Sequence, residues 1–287
     1  NKTNLEIVDT SFAKVFEEYN PSSYILQAAN TDRYILTEGE GRRIDQLRPY
    51  IQVLPETLKE IEDEYGTLDA INLVGLHVIF GNKLEVSDHR IMTETIDKLR
   101  NRHDSIFFTD AGGITGMEEE ERKRLWEIYS QFDAISLNRD EILQIAGDIS
   151  DEDLDEIEAM NEILNKSENI STVWLHTSHY QISLTSEFEK VVLKAAQDNS
   201  ALAGLYRVEE AGYPTIDELV ERKEKRKNSE EGKRVISKYR DKHGDVIDDR
   251  ELIYTPCYEA EKFETTVGAG DVSAAAFLST ITDEVRS

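Results

Sequence analysis

Apolar and polar stretches alternate regularly from about residue 56 onward, and their spacing predicts helices and strands in turn. Residues 88–101 are typical of a helix, because Met92, Ile96 and Leu99 recur on one helical face. Further helices are predicted at residues 56–65, 118–130, 191–210 and 214–228. Short apolar runs predict strands at residues 69–75, 105–109, 132–137, 172–176, 180–185, 252–254 and 258–263.

This alternation of buried strands with helices indicates an α/β fold. We expect a mostly parallel sheet covered by helices on both faces. In such sheets, ligands bind beyond the carboxyl ends of the strands. That rule points to the short segments that follow predicted strands, which are residues 75–77, Asp110, residues 138–141, residues 176–177 and residues 268–271.

The first 52 residues lack the regular pattern. Residues 5–8 and 34–36 suggest short strands, and Pro49 and Pro55 bracket an apolar stretch. We therefore predict a domain change here, with a partial small lid domain over residues 1–52 and the main domain over residues 53–287. Farther on, Ser150 with Asp153 resembles a capping box and predicts the start of another helix.

The charge balance excludes one large class of partners. The chain of 287 residues has 59 acidic and 33 basic side chains and a formal net charge of -26. Binding to a nucleic-acid backbone is therefore disfavoured. Such acidity suits high salt, which screens self-repulsion, so a halophilic source is one hypothesis and an ordinary acidic cytosolic protein is the alternative.

Cysteine content and hydropathy indicate the cellular compartment and the kind of protein. The single cysteine, Cys257, precludes an internal disulfide and a cysteine-based zinc cluster, and it fits a reducing, cytoplasmic compartment. We find no apolar run that predicts a membrane span or a signal segment. The chain begins at Asn1 rather than methionine, which suggests a fragment or a processed form.

The most informative stretch lies near the end, at residues 264–277. Gly268, Ala269 and Gly270 predict a tight turn that opens a helix of small residues. Backbone N–H groups at such a helix start form an anion pocket suited to phosphate. Asp271 at its rim either caps the helix or accepts a proton from a hydroxyl that attacks the phosphate. A lone Gly-x-Gly-Asp is a weak motif, and capped glycine turns are common.

Polar residues that follow two of the predicted strands are candidate metal ligands. Asn138 and Glu141 are three residues apart at a strand-to-helix junction, so they share one face. They predict either a helix cap or a magnesium site between phosphates. Asp110 is either a turn aspartate before glycines or a second, outer-sphere carboxylate for the metal.

The histidines and one basic run are less informative. His77 and His176 do not form a zinc pair on any recognised spacing, and we expect each to donate a hydrogen bond in a loop. We interpret His179 and the basic run at residues 222–227 as solvent-facing. The alternative for the basic run is that it helps to hold a nucleotide.

Taken in order, these motifs resemble one family. They are residues 74–77, the Asn138-x-x-Glu141 box, residues 175–177 with Tyr180, and the turn at residues 266–271. The order is similar to that of the ADP-dependent glucokinases and phosphofructokinases, a branch of the ribokinase-like superfamily, over roughly residues 33 to 285. The glycine turn alone indicates the superfamily, whereas the His-Thr strand end and residues 253–256 favour the ADP branch.

The resemblance implies a ribokinase-like three-layer α/β/α sandwich with a partial small lid. It also implies an ADP-dependent, Mg²⁺-requiring sugar kinase that transfers the β-phosphate of ADP to glucose or fructose 6-phosphate and releases AMP. The implied general base is Asp271, and the anion hole is Gly268, Ala269 and Gly270. The implied roles of the other sites are magnesium binding by Asn138, Glu141 and Asp110, and nucleotide binding by His176, Thr177, Tyr254, Pro256 and Val267.

Three departures from the family pattern bear on activity. The family's His-x-Glu motif reads Phe108-Thr109-Asp110 here, so the histidine is lost and glutamate is shortened to aspartate. The family's Asn-x-Asn-x-Asp sugar-binding stretch has no match, although Glu38 could approach the sugar. The chain also stops soon after the helix of the glycine turn.

These departures keep two further functions open. One is an ATP-dependent ribokinase-like kinase for another small alcohol. The other is a nucleotide-binding but catalytically silent homologue that acts through a partner. The sequence does not choose the sugar or the oligomeric state.

Overall fold

A computed structural model describes residues 23–26, 34–37, 48–76, 86–112, 114, 117–150 and 152–285. The chain divides into two compact units, one of residues 1–69 and 79–105, the other of residues 70–78 and 106–287. The expectations for residues 5–8, Glu38 and His77 lie outside the described residues. The boundary predicted after residue 52 stays a prediction.

The described residues of the first unit form two strands and two helices. Strands β1 (Ser23–Leu26) and β2 (Tyr34–Thr37) pair antiparallel. Helix α1 (Arg48–Tyr65) contacts α2 (Val86–Arg100). Pro55 lies inside α1, so the apolar stretch between the two prolines is helical. The predicted apolar face of α2 is confirmed, because Met92, Ile96 and Leu99 are all buried.

The second unit is built on a seven-stranded sheet. Its strands are β3 (Ala70–Asn72), β4 (Ile106–Asp110), β5 (Ala134–Leu137), β6 (Thr172–His176), β7 (Tyr180–Thr185), β8 (Val246–Ile247) and β9 (Arg250–Pro256). Their order is β3-β4-β5-β6-β7-β9-β8. The pairs from β3 to β6 are parallel, whereas β6-β7, β7-β9 and β8-β9 are antiparallel. The expected parallel sheet is therefore present in one half only, because a short turn after β6 sends the chain straight back.

Helices cover both faces of this sheet, as predicted. They are α3 (Glu119–Tyr129), α4 (Arg139–Ile149), α5 (Glu156–Lys166), α6 (Lys190–Glu210), α7 (Ile216–Lys225), α8 (Glu230–His243) and α9 (Ala269–Val285). Helices α6 and α9 lie against one face, whereas α5 and α8 contact strands from the other. None of the described helices combines the length and the apolar character needed to span a bilayer.

An aromatic core lies between the sheet and the pair α6 and α9. Trp174 stacks on Phe277 with ring centroids 4.2 Å apart, and Phe108 packs against both rings. The two helices approach closely at Gly204, where a Cβ would lie 2.3 Å from Ser273 Oγ. This core fixes the start of α9, where the glycine turn lies, relative to the ends of the parallel strands.

Two element predictions are wrong, and one helix was missed. Helix α8 was not predicted, because its charged sequence buries little more than Gly232 and Ile236. Residues 258–263 form no strand; only Tyr258 makes an isolated bridge, to Asn228. The capping box before α5 is formed by Asp155 and Glu158, rather than by the pair predicted five residues earlier.

Candidate active site

Four strand ends meet at one edge of the sheet. Strands β4, β5 and β6 are parallel, and β9 runs in the same direction as β6 because both pair antiparallel with β7. The segments that leave this edge carry Asp110, Asn138 with Glu141, His176, and the turn at residues 268–271. The parallel register aligns Asp110 with Ser136 on the neighbouring strand.

Asn138 and Glu141 form a reciprocal capping box at the start of α4. The Glu141 backbone N–H donates to Asn138 Oδ1 at 3.0 Å, and the Asn138 N–H donates to Glu141 Oε2 at 2.8 Å. Glu141 is 3% exposed, so the box holds a carboxylate in a nearly buried position. The capping prediction is confirmed. The second Glu141 oxygen, Oε1, lies 3.9 Å from the position that a Gly112 Cβ would occupy.

Asp110 is the most perturbed carboxyl group at this edge. Burial, together with the neighbouring charges of Glu141 and Asp271, raises its pKa to about 7, although a hydrogen bond from the Gly112 backbone acts in the opposite direction. Asp110 Oδ1 lies 3.8 Å from the Gly112 Cβ position, beside Glu141 Oε1. The carboxylates of Glu141 and Asp271, on two other elements, are thus close enough to Asp110 for their charges to act on it.

Tyr129 lies next to this acidic group. Its hydroxyl is buried and has no hydrogen-bond partner within the described part of the chain. Burial raises the pKa of the phenol, with further contributions from the charges of Glu141 and Asp110. Tyr129 therefore stays protonated and offers a donor close to the carboxylates.

The glycine turn has the geometry that an anion pocket needs. Gly268 has φ +75, a conformation that residues with a side chain rarely adopt. Among the described residues, the N–H groups of Gly268, Gly270 and Asp271 have no acceptor, whereas the Ala269 N–H donates to Thr266 at 3.3 Å. Nothing lies within 4 Å of a Cβ placed on Gly270, so the turn opens onto free space. Asp271 is exposed at this turn and is close enough to Asp110 to raise its pKa.

The last turn of α6 holds the segment that leads into the glycine turn. The Val208 carbonyl accepts from the Glu264 N–H at 2.8 Å and from the Thr265 N–H at 3.2 Å. Arg207 Nε donates to the Val267 carbonyl at 3.0 Å. The turn is thus fastened to a helix that belongs to the core.

Glu209, in the same helical turn, is fully buried and neutralised. Its carboxylate accepts hydrogen bonds from Arg222, from Arg226 Nη2 at 2.7 Å and from the Glu261 N–H at 2.7 Å. The guanidinium groups of both arginines are only 13–14% exposed. The interpretation of the basic run as solvent-facing is therefore wrong for these two residues. The interpretation is confirmed for His179, which is exposed.

His176 and Thr177 lie at the end of β6. The His176 ring lies 5.2 Å from the Trp174 ring, and its Nε2 is enclosed with no partner within the described residues. Burial lowers the pKa of His176 to about 4, so the ring is neutral at pH 7. Thr177 Oγ1 donates to the Tyr180 carbonyl and accepts from the Tyr180 N–H, which closes the turn between β6 and β7.

The other predicted nucleotide contacts are placed less favourably. Tyr254 donates to the Gly244 carbonyl at 2.9 Å and is covered by the Arg240 guanidinium, so its side chain is engaged with the end of α8. The Pro256 carbonyl accepts from Asn228. Val267 contributes its carbonyl to Arg207. The role of all three in nucleotide binding stays a prediction.

Two acidic clusters of the second unit are candidate cation sites, and the carboxylate oxygens of Asp110, Glu141 and Asp271 are the more widely separated of the two. Asp110, Glu141 and Asp271 supply the hard oxygen ligands that Mg²⁺ prefers. A second group, Asp155, Glu158 and His243, lies close enough together to ligate a metal. There, however, the Lys242 ammonium already bonds both carboxylates, at 2.7 and 2.9 Å.

Sequence reasoning missed three residues of this region: Arg207, Glu209 and Tyr129. No local motif marks them, because each acquires its role from contacts with distant segments. Arg207 and Glu209 share one signal, which is that both lie in the last turn of helix α6.

Comparison with known proteins shows the family and the fold of the chain. The family described as "ADP-specific Phosphofructokinase/Glucokinase conserved region" matches residues 22–279. No curated protein matches the chain by sequence alone.

Several solved structures share the fold. A phosphofructokinase from Pyrococcus horikoshii with AMP has a TM-score of 0.70 at 16% identity, covering 88% of this chain and 59% of its own. An ADP-dependent kinase in complex with fructose-6-phosphate and ADPβS has a TM-score of 0.71 at 17% identity, covering 87% and 60%. The last common ancestor of ADP-dependent phosphofructokinases from Methanosarcinales has a TM-score of 0.68 at 19% identity, covering 84% and 55%. The chain thus spans about three fifths of the length of these proteins.

Proposed function

Because the chain belongs to the ADP-specific phosphofructokinase/glucokinase family, we propose that it carries the phosphoryl-transfer site of an ADP-dependent sugar kinase. In the proposed reaction, a sugar hydroxyl attacks the β-phosphorus of ADP. The bond from that phosphorus to the bridging oxygen breaks, and AMP leaves. The acceptor is glucose or fructose 6-phosphate.

One observation carries this proposal. Asp110, Glu141 and Asp271 come from three different elements, yet their charges interact beside a glycine turn in which the N–H groups of Gly268, Gly270 and Asp271 have no acceptor among the described residues. Like charges repel, so a fold that holds them together needs a compensating cation or proton. A divalent cation would compensate the carboxylates, and a diphosphate would accept hydrogen bonds from the N–H groups of the turn.

The residues divide the work in a way that their positions support. Asp271 accepts the proton of the attacking hydroxyl, because it is the exposed carboxylate at the turn. The Gly268, Ala269 and Gly270 backbone orients and stabilises the phosphoryl oxygens. Asp110 and Glu141, with Asn138 holding Glu141 in place, would hold Mg²⁺. When bound, the ion neutralises charge on the phosphates.

His176 and Thr177 are proposed to border the nucleotide. The enclosed Nε2 of His176 is a neutral hydrogen-bonding atom with no partner in the described part of the chain. It lies at the end of β6, and the adjoining Thr177 carbonyl is 3.5 Å from Cys257 Sγ in the segment that follows β9. We place the adenosine moiety on this side of the edge.

The direct test is a donor-by-acceptor activity screen on the full gene product. ADP, ATP and pyrophosphate are each tested with glucose and with fructose 6-phosphate, in low and in high potassium chloride. We expect turnover with ADP and one sugar, and a requirement for Mg²⁺. Turnover with ATP but not ADP would contradict the choice of donor. The salt series tests the halophilic hypothesis.

A silent nucleotide-binding protein remains the second candidate, and one observation favours it. The family's histidine is replaced by Phe108, which is fully buried against Trp174 and Phe277 and offers no polar atom. Calorimetric binding of ADP together with absence of turnover for every pair in the screen would favour this function over catalysis.

A further inference from the structure

Arg207 lies at the glycine turn without belonging to it. It is in the last turn of α6, about 60 residues before the turn in sequence. Its Nε lies 3.6 Å from the position that a Gly268 Cβ would occupy, and its Nη2 lies 3.9 Å from that position. Asp271 Oδ2 lies 3.8 Å from the same point. The guanidinium and the carboxylate therefore flank Gly268.

The guanidinium is fixed on two of its three nitrogens. Nε donates to the Val267 carbonyl at 3.0 Å, and Nη1 donates to the Ala211 carbonyl. The ring of Tyr213 lies 5.4 Å from Cζ and covers the group. Within the described residues, Nη2 has no acceptor. Two N–H donors are therefore held in place beside the turn with no partner.

The charge of Arg207 is also uncompensated. Both contacts that hold it are neutral carbonyl groups, and it forms no ion pair with any described residue. Arg222 and Arg226 differ, because both bond the buried carboxylate of Glu209. A guanidinium stays charged at all physiological pH values.

We propose that Arg207 is a binding residue for the diphosphate, and that Nη2 donates to a phosphate oxygen held over Gly268. The two carbonyl contacts orient the Arg207 guanidinium before the ligand binds, so little side-chain freedom is lost on binding. This inference rests on the proposed function for the identity of the ligand. The proposed function concerns phosphoryl transfer, whereas this inference concerns binding of the diphosphate.

The test compares nucleotide affinities of three variants by calorimetry. Arg207→Gln removes the charge, and Arg207→Lys keeps it without the planar fork. Arg240→Gln is the matched control, because Arg240 also covers a tyrosine ring, at 5.0 Å, but lies on α8 and pairs with Asp245. ADP is compared with adenosine, which lacks phosphate.

We expect Arg207→Gln to weaken ADP binding roughly tenfold to a hundredfold, as for loss of a charge-assisted hydrogen bond. Adenosine binding should change less than twofold, Arg207→Lys should be intermediate, and Arg240→Gln should match the wild type. Unchanged ADP affinity in Arg207→Gln would overturn the proposal. Equal weakening of ADP and adenosine would also overturn it, because Arg207 would then only support the turn.

The two proposals fail separately in these experiments. If no sugar is phosphorylated but ADP affinity depends on Arg207, the catalytic function fails and the binding role stands. If turnover is observed but ADP affinity is independent of Arg207, the binding role fails alone. Thermal unfolding of each variant shows whether a change in affinity reflects loss of the fold.

Discussion

Two buried acidic groups of the second unit are treated in opposite ways. Glu209 is fully buried, and two guanidinium groups and a backbone N–H bind its carboxylate. Asp110 is also largely enclosed, but the charges that perturb it are those of Glu141 and Asp271. The fold neutralises the first carboxylate and crowds the second with charges of its own sign.

This contrast separates structural acids from functional ones. A buried carboxylate that only supports the fold needs paired cations, because desolvation of an isolated charge is costly. A cluster of carboxylates costs stability unless a ligand or a proton compensates it. Glu209 secures the lead-in to the glycine turn, whereas Asp110 is suited to an incoming cation.

The largest expected effect comes from the exposed carboxylate of the acidic edge. Asp271→Asn should lower turnover by about 10²–10⁴-fold, because it removes the proton acceptor. ADP affinity should change less than threefold, since the amides of the turn remain. Steady-state kinetics and calorimetry measure the two quantities. Asp217→Asn is the control, because Asp217 is also acidic in the first turn of a helix. Retained turnover in Asp271→Asn would refute the assignment.

Removing the neutralised acid should affect stability instead. Glu209→Gln removes the buried carboxylate that Arg222 and Arg226 share, leaves them only the more exposed Glu210 and Glu261, and should cost roughly 3 kcal/mol in the free energy of unfolding. Urea denaturation measures it. Glu210→Gln is the control, because that neighbouring carboxylate is 37% exposed and its pairs with Arg222 and Lys262 should contribute less than about 1 kcal/mol. Equal losses in both variants would contradict the distinction.

Glu141 offers a way to remove charge from the acidic edge while keeping its cap. In Glu141→Gln, the amide oxygen can still accept from the Asn138 N–H, so α4 should keep its start. The Mg²⁺ concentration for half-maximal turnover should rise by about 10–100-fold. Glu158→Gln changes the equivalent position of the capping box of α5 and should leave it unchanged. An unaltered Mg²⁺ requirement in Glu141→Gln would argue against a metal at this edge.

The smallest effect is a gain in stability. The pKa of Asp110 is raised from 3.8 to about 7 in the folded state, so folding favours the protonated form. Its contribution to stability is therefore lost as the pH rises from about 4 to about 7. Without divalent cations, Asp110→Asn should unfold a few degrees above the wild type at pH 8, and the difference should shrink toward pH 4. Thermal unfolding at both pH values measures it, and a variant no more stable at pH 8 would contradict the proposed repulsion.

The acidic edge was predictable because its signals are local. Asn138 and Glu141 are three residues apart and cap the same helix, and Gly268 requires glycine for its own backbone conformation. Asp110 ends β4 and Asn138 directly follows β5, so the strand-end rule was enough to gather these two motifs, whereas the glycine turn begins well after the end of β9. The parallel half of the sheet was predictable for the same reason, since helices separate its strands.

The antiparallel half and the ion pairs depend on long-range contacts. Helix α8 shows no strong apolar stripe, because most of its residues face solvent. In the sequence, the basic run at residues 222–227 resembles a solvated surface. The carboxylate that binds it belongs to Glu209, which lies 13 residues before Arg222 and 17 residues before Arg226. Arg207 becomes informative only when the turn at Gly268 is seen to fold against it.

The close approach of α6 and α9 at Gly204 has a consequence for the whole nucleotide site. The arginine that we assign to the diphosphate lies one helical turn after Gly204, and the glycine turn lies directly before Ser273. The spacing between these two helix axes therefore sets the width of the phosphate cradle. A methyl group at position 204 would push the two helices apart and so widen the proposed phosphate site, although residue 204 itself touches no ligand.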